Sequence, residues 1–170
     1  MNPNITIRPE KPADIDAIRR LTEAAFQNQA HASHTEQFIV TALRRAGTLT
    51  VSLVAVENDV VVGHVAVSPV TVSSGAAGWY GLGPISVQPN RQGRSIGSRL
   101  MTAALAELRR IGAQGCVVLG DPAYYGRFGF KNCPGLELPG VPQVYFQAFS
   151  LGGEVPAGTV RFHEAFDATE

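Results

Sequence analysis

The stretch ISVQPNRQGRSIGSRL, residues 85–100, decides the fold, because it passes from a strand pattern through one short loop into a helix pattern. Residues 85–87 are typical of a strand end, and residues 88–91 of a loop. A helix is predicted over residues 93–111, with Gly112 after its end. Its apolar face recurs at helical spacing and comprises Ile96, Leu100, Ala104, Leu108 and Ile111.

The start of this helix has the composition of an anion site. Gly93, Ser95 and Gly97 are small, so backbone N–H groups at the positive end of the helix dipole can approach a negative group. Residues 60–106 contain no Asp or Glu, whereas three arginines lie close together, at positions 91, 94 and 99. The pattern predicts a pyrophosphate site. The alternative is a glycine turn leading into an ordinary core helix.

Two common nucleotide motifs are excluded. A P-loop needs a Lys after its second Gly, and no Lys occurs between positions 12 and 130. A dinucleotide fingerprint needs G-x-G-x-x-G, but Ser95 stands between Gly93 and Gly97. The predicted anion site therefore belongs to another class.

Composition limits the class of protein. The chain has 170 residues, 45% of them hydrophobic, and its 14 Lys and Arg balance its 14 Asp and Glu. This predicts a single globular domain over residues 1–170 and disfavours a nucleic-acid or membrane partner. Two cysteines, no signal-peptide pattern and no long apolar run favour a cytoplasmic protein.

The rest of the chain alternates between strand and helix patterns. A strand is predicted at residues 5–8, then a helix whose buried face comprises Ile15, Ile18, Leu21 and Ala25. A second helix is predicted from Thr35 to Ala46, and a hairpin that turns at Asn58 and Asp59 follows. Further strands are predicted at residues 79–87, 115–120, 144–149 and 159–166, with a short helix after Asp121. The order predicts an α/β (α+β) fold with a mixed sheet.

Two motifs resemble one known family. Residues 92–97, Gln-Gly-Arg-Ser-Ile-Gly, are similar to the Q/R-x-x-G-x-G/A signature of the GNAT superfamily of acyl-CoA-dependent N-acetyltransferases. Residues 125–130, Tyr-Gly-Arg-Phe-Gly-Phe, are similar to its Y-x-x-x-G-F. The strings at 119–125 and 162–166 resemble a bacterial branch whose acceptor is mostly unassigned. Ser95 departs from the family, which usually has Gly there.

The resemblance implies a mostly antiparallel sheet flanked by helices and splayed between its fourth and fifth strands. It also implies acetyl-CoA as cosubstrate, with the pantetheine arm paired to the fourth strand and the pyrophosphate at the helix start. The implied cofactor-binding residues are Ile85, Ser86, Val87, Gln92, Gly93, Arg94, Ser95, Ile96, Gly97, Ser98, Asp121, Tyr125 and Phe128. The implied reaction is acetyl transfer to a primary amine within a ternary complex.

The resemblance also assigns the acid of this reaction. Tyr125 matches the family's general acid for the departing thiolate, with a core aromatic as the alternative. Tyr124 has no family role and is interpreted as packing. Many members carry a carboxylate base on the fourth strand, but this chain has none there.

The identity of the base stays open on the sequence. Glu36, at the start of the second helix, is the first candidate and His64, on the third strand, the second, with a water relay as a third possibility. His64 is otherwise a sheet histidine facing solvent or core. The sequence also leaves open a CoA-binding module or regulatory protein with little turnover, which Ser95 and the missing carboxylate favour.

Other polar residues are given structural roles. His31, His34 and Glu36 straddle a predicted loop and helix start, and no further ligand is evident, so no metal is predicted. Arg44 and Arg45 are interpreted as a solvated helix end, and Cys116 as an inert core residue. The expected partner is a small amine or a protein amine, and the expected state is a monomer or homodimer.

Overall fold

The fold is described from a computed structural model that covers residues 4–30 and 32–170. Within these residues the helices are α1 (Ile15–Phe26), α2 (Glu36–Arg45), α3 (Ile96–Arg110) and α4 (Pro122–Tyr125). The strands are β1 (Ile5–Pro9), β2 (Val51–Glu57), β3 (Val60–Val72), β4 (Trp79–Val87), β5 (Gly115–Leu119), β6 (Leu136–Glu137), β7 (Phe146–Ser150) and β8 (Gly158–Phe162). None of the described helices is long and apolar enough to cross a membrane.

The strands form a sheet in the order β1-β2-β3-β4-β5-β7, and all pairs along this path are antiparallel except β4 with β5. The far end of β3 also pairs with β8, which in turn pairs with β6. Asn58 and Asp59 join β2 to β3 with φ of 49° and 66°, values that a tight hairpin turn requires. The predicted mixed, mostly antiparallel sheet flanked by helices is confirmed.

A gap opens between β4 and β5. Their pairing covers only Trp79–Gly81 against Gly115–Val117, whereas β4 continues to Val87. The pairing ends close to Pro84, whose nitrogen carries no hydrogen to donate to a neighbouring strand. The splay predicted between the fourth and fifth strands is therefore present.

The sheet has two covered faces. On one face α3 packs against β1 to β5, with Leu100, Met101 and Leu108 completely buried. Burying each such side chain contributes about 1.5–3 kcal/mol to folding. On the other face, α1 and α2 bring Ile18 and Val40 against β2 and β3. The start of α3 lies on the first face, and the polar side chains of Ser52 and His64 lie on the second.

Three sequence predictions shift in the structure. The helix predicted from residue 93 begins at Ile96, because Gly93 and Ser95 have φ of 81° and 63° and so are not helical. Ile15 lies at the first turn of α1 and is 38% exposed, so the buried face begins at Ile18. The last strand ends at Phe162, and Glu164–Asp167 form a 3₁₀ turn packed on α2.

Candidate active site

The backbone of β4 faces the gap at Ile85 and Val87. The amide of Gln88 donates to the carbonyl of Val62 at 2.8 Å, so Gln88 points toward β3. The backbone N–H and C=O groups of successive strand residues point to opposite sides. Those of Ser86 therefore also point to β3, where Ser86 pairs with His64. The N–H and C=O groups of Ile85 and Val87 therefore point into the gap, where the side-chain amide of Gln92 donates to the Val87 carbonyl at 3.3 Å.

The first turn of α3 presents free backbone donors. The amide of Arg99 donates to the Ser95 carbonyl at 3.1 Å, which is the first bond of the helix. The preceding N–H groups have no acceptor inside a helix, and the Ser95 side chain does not cap them. The N-terminus of this 15-residue helix therefore lies beside the gap, and its backbone donors and dipole suit a phosphate.

The positive charge at this site is smaller than the sequence indicates. Nε of Arg91 lies 2.6 Å from Oε1 of Glu57, so this arginine is paired with an acid outside the acid-free stretch. Arg94 and Arg99 are exposed and form no ion pair within the described residues. Of the three arginines at positions 91, 94 and 99, two are therefore available to a polyanion.

Tyr124 and Arg127 extend the helix start. Arg127 donates to the Ser98 hydroxyl at 3.1 Å, and its guanidinium stands 4.9 Å from the centre of the Tyr124 ring. A Cβ added to Gly97 would stand 2.9 Å from the Tyr124 hydroxyl oxygen. Sequence reasoning treated Tyr124 as packing and did not single out Arg127 for binding, because no spacing rule links them to a helix about 30 positions earlier.

Tyr125 is held against the end of β5. A side chain on Gly120 would overlap its ring, since an added Cβ would lie 2.6 Å from Cε2. The ring makes edge contacts with Tyr124 and Phe130, at 5.0 and 6.1 Å between centres. Burial raises the pKa of Tyr125 to about 12, so the hydroxyl keeps its proton at neutral pH.

Asp121 and Phe128, the other two residues of this segment predicted to bind the cosubstrate, hold the segment in place. Asp121 begins α4, and its Oδ1 accepts from the amide of Ala123 at 2.9 Å. The Phe128 ring lies 5.4 Å from that of Tyr124. Helix α4 and the 3₁₀ turn that follows it, Gly126–Phe128, therefore bring Tyr125, Tyr124 and Phe128 together beside the first turn of α3.

His64 is completely buried on the face covered by α1 and α2. Its Nε2 lies 2.8 Å from the Ser52 hydroxyl, and its Nδ1 has no partner within the described residues. Burial lowers the pKa of His64 to about 4, an effect that Glu10 partly opposes, so the ring is neutral at neutral pH. Of the two placements predicted for a sheet histidine, the core is correct.

Ser52 connects His64 to an ion pair at the sheet edge. The Ser52 hydroxyl donates to Oε1 of Glu10, and Arg44 donates to both oxygens of Glu10 at 3.0 Å. Burial opposes ionisation of Glu10, but the hydrogen bonds from Arg44 and Ser52 outweigh it and hold the pKa of Glu10 below its usual value. The interpretation of Arg44 as a solvated helix end is therefore wrong; only Arg45 is exposed.

Glu36 lies apart from these groups. Its Oε2 accepts from the amide and hydroxyl of Ser33 at 3.0 and 2.9 Å, and its Oε1 is buried without a partner in the described structure. No hydrogen bond or ion pair among the described residues joins it to Tyr125 or His64.

The remaining predictions concern metals and thiols. His31 lies outside the described residues, and His34 is exposed. Across residues 4–30 and 32–170, no three His, Cys, Asp or Glu side chains are grouped as a metal site. Cys116 is fully buried, which raises the pKa of its thiol and fits an inert core residue.

Comparison with known proteins identifies the fold. The profile of the acetyltransferase (GNAT) domain matches residues 6–133. The chain belongs to the GNAT acetyltransferase family. The uncharacterized N-acetyltransferase YhbS of Escherichia coli K12 is 34% identical over 169 residues, which is 95% of this chain and 98% of YhbS.

Crystal structures of two GNAT proteins are similar to this chain in sequence and fold. A GNAT acetyltransferase from Brucella melitensis, in complex with acetyl-CoA, is 49% identical and has a TM-score of 0.86 over 96% of this chain and 98% of its own. Escherichia coli YhbS in complex with CoA is 33% identical, with a TM-score of 0.88 over 100% of this chain and 97% of its own. The resemblance drawn from the two sequence motifs is confirmed for the family and the fold.

Proposed function

We propose that this GNAT protein transfers an acetyl group from acetyl-CoA to a primary amine. The observation that carries the proposal is the gap between β4 and β5, which is lined by the backbone of Ile85 and Val87 and runs to the open first turn of α3. Its relatives in complex with acetyl-CoA or CoA support this choice of cosubstrate. Residues 1–170 would act as one catalytic domain.

The gap suits the two parts of the cosubstrate. The amides of the pantetheine arm would pair with the free edge at Ile85 and Val87, as an added strand pairs with a sheet edge. The pyrophosphate would rest at the start of α3, against backbone N–H groups and near Arg94. The residues proposed for this site are Ile85, Ser86, Val87, Gln92, Gly93, Arg94, Ser95, Ile96, Gly97, Ser98, Asp121, Tyr125 and Phe128.

The chemistry is direct attack. The amine nitrogen bonds to the thioester carbonyl carbon while an N–H of the free β4 edge stabilises the oxygen. The C–S bond then breaks, Tyr125 gives its proton to the departing thiolate, and the proton that the acceptor nitrogen loses as it becomes the amide nitrogen restores the Tyr125 hydroxyl. The Tyr125 hydroxyl carries its proton at neutral pH, so the donor is present.

The attacking amine must first lose a proton. Glu36 offers a buried carboxylate oxygen, and His64 offers a neutral ring with a buried Nδ1; neither atom has a partner among residues 4–30 and 32–170. Both remain candidates for the base, because each has a free acceptor. A water relay remains the third.

Thiol release tests the proposal. Protein is mixed with acetyl-CoA and a panel of alkylamines, amino acids, amino sugars and peptide N-termini, and free thiol is followed with a chromogenic reagent. We expect thiol release that depends on one class of amine, and upward melting shifts with acetyl-CoA alone. Binding without amine-dependent thiol would indicate a CoA-binding module, and no melting shift at millimolar acetyl-CoA would overturn the site itself.

A further inference from the structure

Three large apolar side chains are exposed at one end of the gap between β4 and β5. Leu119 ends β5, and Val144 and Tyr145 come directly before β7. Their exposed fractions are 45%, 57% and 47%. The amide of Gly120 donates to the Tyr145 carbonyl at 2.8 Å, so the two segments are adjacent. We call Leu119, Val144 and Tyr145 the apolar patch.

The grouping of these three residues sets them apart from the rest of the surface. The other large apolar side chains of the described residues that are more than a third exposed lie singly, at the start of α1, the start of β3 and the end of α3: Ile15, Val60 and Ile111. Single exposed apolar residues are ordinary on a folded protein, whereas a group of them marks a binding surface. The apolar patch is therefore a candidate binding surface.

Leu119 borders the gap on the face of the sheet away from α3. β5 pairs with β4 only as far as Val117, so Val118 and Leu119 lie beside the gap. Side chains alternate between the two faces along a strand, and Val118 packs in the core under α3, so Leu119 lies on the opposite face. Tyr125 packs against the same core as Val118. A thioester in the gap would thus have Tyr125 on the α3 face, which leaves the face of Leu119 to the acceptor.

Side-chain hydrogen bonds hold the turn that carries the rest of the patch. The side chain of Asn132 donates to the carbonyls of Gln143 and Phe146, which flank Val144 and Tyr145. The side chain of Gln143 donates to two carbonyls of the preceding loop, at 2.8 and 3.0 Å. Val144 and Tyr145 are therefore presented by a fixed turn. A surface that is already in place loses little conformational entropy when a ligand binds to it.

The segments that border the gap carry no acidic side chain. Residues 60–106, which include β4, contain no Asp or Glu, and residues 115–120 and 138–146 contain no charged side chain at all. Asp121 is the first acid after β5, and its Oδ1 already accepts from the amide of Ala123 at 2.9 Å. These segments offer no partner for the second ammonium of a polyamine or for the carboxylate of an amino acid. They favour an acceptor with one amine on an uncharged skeleton.

The extent of the patch matches a small molecule. A stable protein interface buries about 800 Å² on each partner, far more than three partly exposed side chains present. One aromatic ring or a short alkyl chain covers three such side chains. The occupant that fits the patch is therefore the apolar part of a small acceptor.

We propose that the acceptor is a small primary monoamine carried on an alkyl or aryl group, and that the apolar patch binds this group. The proposal rests on the proposed acetyl transfer and names its substrate class. The amine nitrogen points into the gap toward the thioester carbon, and the ring or chain lies on Leu119, Val144 and Tyr145. Apolar surroundings also disfavour the charged ammonium, which helps the amine to lose its proton before it attacks.

A series of straight-chain amines tests the substrate class. Thiol release from acetyl-CoA is followed with propylamine, butylamine, pentylamine and hexylamine. We expect kcat/KM to rise by about fourfold with each methylene, the usual effect of burying one CH₂ group. Two polar compounds match pentylamine in size, 4-amino-1-butanol and butane-1,4-diamine. Both should have a kcat/KM about 10-fold or more below that of pentylamine.

Polar variants of the patch test where the chain binds. Leu119→Asn, Val144→Ser and Tyr145→Ser should each reduce the gain per methylene to about twofold or less, because the chain then meets a polar surface. Tyr145→Phe keeps the ring and should keep the gain. Val60→Ser is the matched control, since Val60 is 56% exposed on β3 and lies outside the patch, and it should leave the whole series unchanged.

The outcomes separate the possible failures. All variants should keep the melting shift with acetyl-CoA, because the patch lies on the face away from α3, and this shows that they are folded. If 4-amino-1-butanol or butane-1,4-diamine equals pentylamine, the substrate class is wrong; if the patch variants keep the wild-type gain per methylene, the patch is wrong.

Two further outcomes concern the acceptor and the reaction. A peptide that begins with Phe and is acetylated much faster than phenethylamine would overturn the choice of a small acceptor. If wild type keeps the melting shift but releases no thiol with any amine, the proposed function fails, and the proposed substrate class fails with it.

Discussion

The β4–α3 edge, residues 85–97, and the row of hydrogen-bonded side chains His64, Ser52, Glu10 and Arg44 are built from different kinds of chemical group. At the edge, the exposed groups are main-chain N–H and C=O groups, and the side chains around them are small. In the row, side chains from four separated segments meet, completely buried at His64 and half-buried at Ser52, Glu10 and Arg44. The edge is open to a large ligand, whereas the row is closed at His64, which is completely buried.

This difference explains what each region tolerates. A main-chain site depends on what is kept out of it, so an added side chain at the edge should harm binding more than the loss of one. A side-chain row depends on each member, so the loss of one hydroxyl should interrupt it. The variants below are chosen to test this contrast.

Tyr125 gives the largest expected effect. Tyr125→Phe removes the proton donor but keeps the ring against Gly120, so kcat should fall by about 10²- to 10⁴-fold. Acetyl-CoA binding, measured by melting shift, should change little. Tyr80→Phe, on the paired half of β4, is the control and should turn over normally.

A core role for Tyr125 predicts the opposite pattern. Tyr125→Phe would then turn over within a factor of about three of wild type, and Tyr125→Ala would cost about 3–5 kcal/mol of unfolding free energy. That result would move the search for the proton donor to water or to Tyr124.

His64 should make stability depend on pH. Its pKa is about 4 in the folded protein and 6.5 in the unfolded chain, so the unfolded chain binds the proton first as pH falls. The stabilisation is therefore complete above pH 6.5 and is lost toward pH 4, a decrease of about 3 kcal/mol. Urea unfolding at several pH values measures it.

His64→Gln should flatten this part of the stability curve relative to wild type. His34→Asn is the matched control, because His34 is exposed and Asn tolerates its φ of 62°. Equal slopes in wild type and His64→Gln between pH 6.5 and 4 would contradict a buried neutral His64.

Gly97 tests the edge. Acetyl-CoA at a hundredfold excess over its dissociation constant should add about 2.7 kcal/mol of stability to wild type. Gly97→Glu places a carboxylate where the pyrophosphate would lie and should abolish this gain. Calorimetric melting with and without acetyl-CoA measures both.

Gly97→Ala is the control for the added Cβ, which meets the Tyr124 hydroxyl at 2.9 Å. Gly97→Ala should keep part of the stability gained from acetyl-CoA, because the Tyr124 hydroxyl can move away from a methyl group. The carboxylate of Gly97→Glu would still repel the pyrophosphate. Unchanged binding by Gly97→Glu would refute the assignment of the pyrophosphate to this turn.

Ser95 gives the smallest expected effect. Its φ of 63° is a left-handed conformation that costs a non-glycine residue about 1 kcal/mol. Ser95→Gly should therefore raise the free energy of unfolding by about that amount in denaturant titrations. No change or a loss would show that the serine hydroxyl stabilises the turn.

The two regions also differ in how well the sequence predicted them. The edge was predicted from residues 85–97, because glycine spacing and helix periodicity are local signals. Pairing of Arg91 with Glu57 was missed, since it joins positions 34 apart. The row was missed except for His64, because Glu10, Ser52 and Arg44 meet only through strand register and helix packing.

The length of β3 has a consequence for synthesis of the chain. Val70 to Val72 pair with Val160 to Phe162, about 90 residues later. At 5–20 residues per second, a ribosome needs about 5–18 s to make the partner strand after β3 has emerged. During that time the end of β3 presents an unpaired strand edge, which makes this segment the place where nascent chains would associate with one another.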